Sequence, residues 1–398
     1  MKRRNFLLKS GLSAGIFLTP DLPVMLEGSK KAEFKLSGMG QIPVIIKSIE
    51  ILKIRNDFLI EVRSEDGHSG RIPANEKISH LLGILMDLII PFFIGKNARD
   101  MELLLPEIYR VNSNYKYAGM PFWISVAHVE LAVLDMLAGI ENRSVARMLG
   151  KPVRKEFPVY MSTFDRENTA EVYTENVLGS IGDMQAVKLK IGGRMSNNRD
   201  CIEGRTEKLI PMMRKALGTG FTIYVDANSS YDAPKAIETG RLLEEYRYGF
   251  FEEPCPWQDY QETLRVAEAL DIPVAGGEQD SSEAQFRYMM DKKVVDVVQP
   301  DIMYNGGFLR NLKIAAYAKQ KGVPITLHSP QQGAANVFKM QFASIVENIG
   351  PYQEYTPGKG YEWCSVDLIF KKGNLQIVDK PGWGIDYDED ALKRAVRF

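Results

Sequence analysis

Residues 222–254, TIYVDANSSYDAPKAIETGRLLEEYRYGFFEEP, decide the fold. Two short apolar runs flank an amphipathic stretch, and the runs end in carboxylates, Asp226 and Glu252. From about residue 157 onward, eight such runs alternate with amphipathic segments such as 261–270 and 308–320. Repeated strand–helix units predict a parallel sheet, and their near-regular interval favours a closed (β/α) barrel. No GxGxxG motif follows the first strand, which weakens a dinucleotide-binding interpretation.

Ionisable side chains end nearly every one of these runs: Lys188, Lys190, Asp226, Glu252, Glu278, Asp301, His328 and Glu354. From Asp226 onward their spacing is 23 to 27 residues, about one strand–helix unit, so each step returns the chain to the same face. In barrels of this kind the chemistry sits at the carboxyl ends of the strands. We therefore expect these side chains to converge on one mouth.

Three of the carboxylates, Asp226, Glu252 and Glu278, come from consecutive strands. Three adjacent negative charges repel one another, and some must take up protons unless a cation neutralises them. All-oxygen ligands on a rigid frame suit Mg²⁺, which keeps positions open for water and substrate. The pattern therefore predicts one Mg²⁺ per active site, against the plainer interpretation of three solvated acids.

Candidate proton carriers lie on both sides of this triad. Lys188 and Lys190 share one face of a strand, where burial and mutual repulsion are expected to lower the pKa of each and make one a base near neutral pH. A carboxylate at Asp301 would fix the tautomer of His328 and raise its basicity. Glu354, if protonated, could donate a hydrogen bond to a developing oxyanion; otherwise it is a solvated acid. A metal and an acidic donor can together stabilise the enediolate formed when a carboxylate loses its α-proton.

The N-terminal part has a different pattern. Two strand-like runs lie within residues 44–64, and apolar spacing predicts helices over 76–90, ended by Pro91 and Gly95, and over 125–138. We divide the chain into 1–40, a signal and linker; 41–150, an α+β domain; 151–370, the barrel; and 371–398, a segment returning to the α+β domain.

Residues 1–20, MKRRNFLLKSGLSAGIFLTP, combine a basic start with a short apolar stretch, and Arg3-Arg4-x-Phe6-Leu7 resembles a twin-arginine export signal. We expect a periplasmic protein, or a cytoplasmic one if this start is only a frayed terminus. Lys and Arg number 50 against 51 Asp and Glu, so net charge gives no case for nucleic acid. Three cysteines cannot form a disulfide framework. The sequence contains no run of 18 apolar residues, so we expect no membrane span.

The strings VKLKIGG, VDAN, FFEEP, GGE, VVQPDI followed by Asn305-Gly306-Gly307, and TLHSP together resemble the enolase superfamily, in its mandelate-racemase-like branch. The resemblance covers roughly residues 45–398 and implies an α+β capping domain with a modified (β/α)7β barrel. It implies Mg²⁺ on Asp226, Glu252 and Glu278. In FFEEP the ligand is taken as Glu252 because it precedes the proline by two. It also implies Lys190 as base with Lys188 as its modulator, a His328–Asp301 dyad and an electrophilic Glu354.

The resemblance also implies an activity. The leading hypothesis is dehydration of an acid sugar, an aldonate or aldarate, to a 2-keto-3-deoxy acid. A racemase or epimerase and a sugar-lactone or anhydrosugar cycloisomerase stay open, as does a non-catalytic binding protein with a vestigial site. Homo-oligomers are expected by analogy.

Substrate contacts are expected from two capping loops, 66–76 and 111–120, and from the barrel. The candidate residues are His68, Arg71, Asn75, Tyr115, Tyr117 and Asn228. Asn228 stands where some relatives similar to mannonate dehydratase carry His, which argues against that subgroup.

Overall fold

The computed structural model describes residues 42–376 and 378–398, so the predicted export signal lies outside it. The capping domain begins with an antiparallel meander of β1 (Ile46–Ile54), β2 (Asp57–Ser64) and β3 (Ser69–Pro73). Gly70 of β3 lies directly against a long helix, where a Cβ would come within 2.1 Å of the Ala132 carbonyl oxygen. Only glycine permits this approach of sheet and helix.

The helix predicted over 76–90 is broken into four pieces, so that prediction is wrong in detail. A 3₁₀ turn at Glu76–His80 is followed by α1 (Leu82–Ile84), a π turn at Leu85–Ile89 and α2 (Ile90–Phe93). Pro91 lies in the first turn of α2, where its missing N–H is tolerated, rather than ending the helix. The wide π turn changes the register just before the proline.

The remaining helices of the capping domain surround one buried helix. After a 3₁₀ turn at Ala98–Asp100 come α3 (Met101–Arg110), a 3₁₀ segment at Val111–Tyr117, α4 (Met120–Ile140) and α5 (Val145–Leu149). The predicted helix 125–138 is confirmed within α4. By length and composition α4 could cross a membrane, but 83% of its apolar window is buried inside the protein. It is therefore accounted for as a core helix.

The barrel closes through parallel pairing. Its strands are β4 (Glu156–Ser162), β5 (Ala186–Lys190), β6 (Thr222–Asp226), β7 (Phe251–Glu252), β8 (Val274–Gly276), β9 (Val297–Val298) and β10 (Gln353–Tyr355). Neighbours pair in that order from β4 to β9, and β10 pairs with β4. The seventh position is reduced to Ile325, which bridges Val298 and Ile349. The predicted capping domain and modified barrel are thereby confirmed.

The helices around the barrel are α6 (Ala170–Ser180), α7 (Arg205–Leu217), α8 (Ala233–Glu245), α9 (Tyr260–Ala269), α10 (Glu283–Lys292), α11 (Phe308–Lys321) and, after a 3₁₀ turn at Gly333–Ala335, α12 (Asn336–Ile345). Side chains cap several of them; Asp232, for example, accepts from the Lys235 N–H. Inside the barrel, Tyr224 stacks on Phe250 with ring centroids 3.7 Å apart, and Tyr160 meets Tyr224 edge-on. This aromatic layer fills the lumen, so the polar mouth has a closed floor.

The part of the chain from Cys364 onward contacts both domains. It forms β11 (Cys364–Val366), β12 (Ile369–Lys371), β13 (Asn374–Gln376), β14 (Ile385–Tyr387), α13 (Glu389–Lys393) and β15 (Val396–Arg397). β13 pairs with β4 of the barrel, whereas β15 pairs with β1 of the capping domain. The boundary set at residue 150 falls between α5 and β4, and the one set at 370 falls inside β12.

A buried carboxylate joins the two domains. Glu130 of α4 accepts hydrogen bonds from the first two N–H groups of α11, Phe308 at 3.0 Å and Leu309 at 2.8 Å. Gly307 has φ +109°, and a Cβ there would lie 2.5 Å from the Glu130 carboxylate. The second glycine of Asn305-Gly306-Gly307 therefore makes room for a capping residue supplied by another domain.

Replacing Glu130 by alanine should destabilise the protein by about 2 kcal/mol or more, because two buried N–H groups lose their acceptor. Urea unfolding measures the change. Glu107→Ala is the control, since Glu107 forms a half-exposed pair with Lys96 and its loss should cost less than about 1 kcal/mol. Equal effects for both substitutions would show that Glu130 does not join the domains.

Candidate active site

Three carboxylates meet at the mouth of the barrel. Asp226, Glu252 and Glu278 are buried, and each offers an oxygen such that all three lie within 4.8 Å of one another. Strand register explains part of this, since Lys190 pairs with Asp226 and Asp226 with Glu252 across β5, β6 and β7. These atoms form a compact, all-oxygen donor set for a cation.

Each carboxylate has a different cation against it. The Lys188 Nζ lies 2.6 Å from Glu252, the Lys190 Nζ contacts Asp226, and the His328 Nε2 is 3.3 Å from Glu278. Burial would raise the pKa of Asp226, but Lys190 and Lys188 outweigh it and hold that pKa well below its usual range.

The charge at Glu252 is less well balanced. Burial raises the pKa of Glu252 to about 8, and although Lys188 opposes this, the neighbouring Asp226 and Glu278 add to it. The mouth thus holds more carboxylate charge than the ammonium groups neutralise. This imbalance, together with the donor set, fits a divalent cation.

Lys188 is completely buried between two carboxylates. Its Nζ lies 2.6 Å from Glu252 and 3.0 Å from Glu354. Burial alone would lower the pKa of Lys188, but Glu252 and Glu354 raise it well above the usual value. The expectation that neighbouring ammonium groups depress its pKa is therefore wrong, because the nearest charges are negative. Lys188 is a fixed cation in this site rather than a base.

Asp301 and His328 form a directed pair. The Met303 and Tyr304 N–H groups donate to Oδ1 of Asp301 at 2.7 and 3.1 Å, which leaves Oδ2 to accept from the His328 Nδ1 at 2.9 Å. The His328 Nε2 consequently faces Glu278 and the triad. Burial would lower the pKa of His328, but Glu278, Asp301 and Glu354 raise it to about 9. As an imidazolium the ring can supply a proton to the mouth.

Glu354 is neither solvated nor suited to remain protonated. Oε1 accepts from the Ser162 hydroxyl at 2.7 Å and Oε2 from the Ser329 N–H at 2.6 Å. Burial would raise its pKa, but Lys188, His328 and these donors lower it well below the usual range. In this arrangement Glu354 is an ionised acceptor that anchors Lys188, which corrects the expectation of a protonated donor.

The capping-loop candidates separate into two groups. The Asn75 segment reaches the mouth, because Lys77 lies 5.3 Å over the ring of Tyr304, which itself faces His328. Asn75 donates its N–H to the His128 Nε2 at 2.9 Å, and its side chain caps the following turn.

The other four candidates are not brought to the triad by any contact among the described residues. Arg71 pairs with Glu61 and Glu389, and the exposed His68 lies 3.8 Å from Asp66. Tyr115 and Tyr117 are about half exposed. Among the described residues, the contacts cited here link only the first of the two loops to the mouth, through the Asn75 segment, and Arg71 is better described as part of the sheet.

Three buried side chains near the triad were not expected from the sequence. Gln299 donates to Glu252 Oε2 at 2.6 Å, and Arg166 donates to the Asn228 Oδ1 at 2.6 Å. Glu253, at φ +40°, keeps a buried Oε1 with no hydrogen-bond partner. Gln299 and Glu253 lie within the quoted strings VVQPDI and FFEEP, although no role was predicted for either. Arg166 comes from a loop with no periodicity.

Similarity to known proteins agrees with this geometry. Residues 168–391 match the Enolase C-terminal domain-like family, and the chain belongs to that family. It is 26% identical to arabinonate dehydratase of Saccharolobus solfataricus over 81% of this chain and 86% of that protein, and 25% identical to L-talarate/galactarate dehydratase of Salmonella typhimurium over 84% and 81%. A mandelate racemase/muconate lactonizing protein of Paracoccus denitrificans, solved in complex with magnesium, superposes with a TM-score of 0.82 at 25% identity, covering 89% of this chain and 98% of that one.

Substituting Gln299 by leucine should weaken divalent-cation binding about 10-fold or more, because Glu252 loses the donor that orients it. Titration with Mn²⁺, followed by electron paramagnetic resonance, measures this. Gln353→Leu is the control, since Gln353 is a buried glutamine of β10 that bonds only backbone groups. An unchanged cation affinity in Gln299→Leu would contradict the proposed support of Glu252.

Proposed function

We propose that the protein is a Mg²⁺-dependent dehydratase of acid sugars, which converts an aldonate or aldarate to a 2-keto-3-deoxy acid. The observation that carries this proposal is the buried triad of Asp226, Glu252 and Glu278 with Lys190 on one carboxylate and the His328–Asp301 pair against another. Dehydratases of arabinonate and of L-talarate/galactarate match more than four fifths of the chain.

The three carboxylates would hold the cation, which supplies electrophilic stabilisation of the substrate carboxylate when bound. The permanently charged Lys188 adds a second positive charge at the same edge, and Glu354 and Glu252 keep it in place. These fixed groups favour the enediolate form of the substrate without moving a proton. The low acidity of the α-proton makes this stabilisation necessary for either lysine or histidine to act as base.

Lys190 and His328 are the groups that can move protons. Lys190, whose Nζ lies at the triad against Asp226, would take the α-proton. His328, charged and oriented by Asp301, would then give its Nε2 proton to the β-hydroxyl, which leaves as water. The resulting enol takes up a proton at the β-carbon to give the 2-keto-3-deoxy acid. One water is lost and no oxidant is required.

Epimerisation is the second candidate, because proton carriers face the triad from β5 and from the segment that follows Ile325. In this reaction one of the two groups, Lys190 or His328, would remove the α-proton from one face of the α-carbon. The other would return a proton to the opposite face. A broad panel of acid sugars with Mg²⁺ separates the two reactions. Dehydration gives a semicarbazide-reactive product, whereas epimerisation in D₂O exchanges the α-proton without one. A cycloisomerase would convert a lactone or an anhydrosugar acid. With aldonates and aldarates it would give neither the semicarbazide-reactive product nor exchange of the α-proton.

Lys190→Ala and His328→Asn should each reduce turnover by at least about 10²-fold, the contribution of one general acid or base, while folding and Mg²⁺ binding persist. Product formation and thermal unfolding are measured on the same samples. Gln331→Ala is the control, because Gln331 follows His328 on the same loop and its side chain hydrogen bonds to no described residue other than Ser329. Full turnover in both variants would show that Lys190 and His328 are not the groups that move protons in the reaction.

A non-catalytic binding protein would give a different result. It would bind acid sugars and Mg²⁺ in calorimetry yet form no product and exchange no proton with any member of the panel.

We also propose export through the twin-arginine-like start at residues 1–20, and mass spectrometry of the mature N-terminus tests it. Assembly into a homo-oligomer is proposed by analogy, and sedimentation velocity tests that proposal.

A further inference from the structure

We propose that Arg166 and Arg194 form an anion subsite beside the triad, and that the substrate carries a second anionic group at its far end. The inference rests on the proposed function and narrows its substrate class. An aldarate, with carboxylates at both ends, has such a group, and so does an acid sugar that bears a terminal phosphate ester.

The first observation is that two guanidinium groups converge on one neutral oxygen. Arg166 Nη2 donates to the Asn228 Oδ1 at 2.6 Å, and Arg194 Nη2 lies 3.4 Å from the same atom. Like charges brought this close are unfavourable unless an anion lies near both. Among residues 42–376 and 378–398, no carboxylate forms an ion pair with either arginine.

The Asp226 carboxylate, whose charge acts on Arg166, already has other partners. Oδ1 of Asp226 accepts the Asn228 N–H at 2.7 Å, and Oδ2 contacts Lys190. A cation on the triad would engage Asp226 further. Neither arginine therefore has a described carboxylate in direct contact, and a carboxylate or phosphate of a substrate could fill that role.

The second observation is how few hydrogen bonds Arg166 makes for a buried arginine. Arg205 is equally buried, and its three nitrogens donate to the carbonyl groups of Asn168, Lys190 and Asp165 at 2.8 to 3.2 Å. Arg166, only 6% exposed, has one short hydrogen bond; its contacts to the carbonyls of Ile191 and Asp226 are 3.4 Å long. Nη1 of Arg166 has no hydrogen bond to a described residue. Arg205 has a structural role, whereas Arg166 retains unused donors.

The third observation is the position of these donors relative to the reacting groups. The Lys190 Nζ lies 3.4 Å from the same Asn228 Oδ1 that accepts from Arg166, so guanidinium and ammonium are neighbours across one amide. The Lys190 Nζ also lies 6.0 Å from the ring of Phe164, on the loop that carries Arg166. A substrate whose first carboxylate is at the triad would extend past Lys190 toward Arg166. Planar guanidinium groups suit carboxylate and phosphate alike.

The backbone supports the second arginine in this place. Arg194 and Met195 have φ of +56° and +49°, and their N–H groups donate to Ser230 Oγ at 3.0 Å and to the Asn228 carbonyl at 2.9 Å. Non-glycine residues hold such conformations only where the surroundings impose them. The segment that follows Asp226 thus fixes both Asn228 and the arginine loop.

Calorimetry on the Mg²⁺-loaded full chain carrying His328→Asn tests the subsite without turnover. The probes are matched pairs that differ only at the terminal carbon: glucarate with gluconate, galactarate with galactonate and mannarate with mannonate. A third arm, 6-phosphogluconate, distinguishes a phosphate ester from a carboxylate. We expect at least one anion-terminated acid to bind about 10- to 100-fold more tightly than its matched monoacid, as for a charge-assisted bidentate contact.

The ratio of the affinity for the anion-terminated acid to the affinity for its monoacid should fall to near unity in Arg166→Gln. It should decrease in Arg194→Gln and be partly retained in Arg166→Lys. Arg199→Gln is the matched control, because it removes the same charge from an exposed arginine on the loop of Arg194, whose side chain hydrogen bonds to no described residue other than Ser196. It should leave the advantage unchanged. Arg194 is exposed, so its variant still reports on the subsite if Arg166→Gln does not fold.

Three results would overturn the inference: no anion-terminated acid binding more tightly than its partner, an advantage that survives both arginine substitutions, or an equal loss in Arg199→Gln. The proposed function fails separately. If the wild-type enzyme forms no 2-keto-3-deoxy acid but the arginine-dependent advantage is present, the subsite stands and the dehydratase assignment does not.

Discussion

Removing three carboxylates from water at one end of a barrel is the constraint on which the rest of this site depends. Asp226, Glu252 and Glu278 are at most 6% exposed and lie within 4.8 Å of one another. Such an arrangement is tolerated only if positive charge is supplied nearby. Lys188, Lys190 and the His328 imidazolium supply it within the protein. A divalent cation would take over that role and release Lys190 and His328 to act on a substrate.

The backbone fixes the relative positions of these charges through strand register. Parallel pairing sets Lys190 beside Asp226 and Asp226 beside Glu252, so their side chains emerge at one level of the barrel. Below them, Tyr160, Tyr224 and Phe250 fill the lumen and exclude water from the floor of the site. After Asp301 in the chain, the glycines at 306 and 307 allow Glu130 to cap α11, which connects the loop that follows Asp301 to the capping domain. Changes in packing far from the mouth can therefore alter the orientation of His328.

The sequence predicted those parts of the structure that follow from strand periodicity. The polar residues at the strand ends, and hence Lys188, Lys190 and the triad, could be found because each follows an apolar run at a near-constant interval. Pairwise distances between charges could not be read in this way. The Lys188 pKa was therefore expected to be lowered, although Glu252 and Glu354 raise it. The broken helix at 76–93 was missed because the apolar spacing that indicates a helix does not show where 3₁₀, α and π turns replace one another.

Loops set a second limit on what sequence can reveal, and this limit bears on the substrate. The proton-moving groups sit at strand ends, whose geometry a whole family can share, whereas Arg166 and Arg194 lie on loops with no periodic signal. The relatives described here act on different acid sugars by name while matching this chain at only 25 to 26% identity. We therefore expect proteins that share this barrel to share the chemistry at the α-carbon of the substrate. We do not expect them to share the chemical group at the other end of the substrate. That end is determined by the charges the loops bring to the mouth, and here those charges are positive.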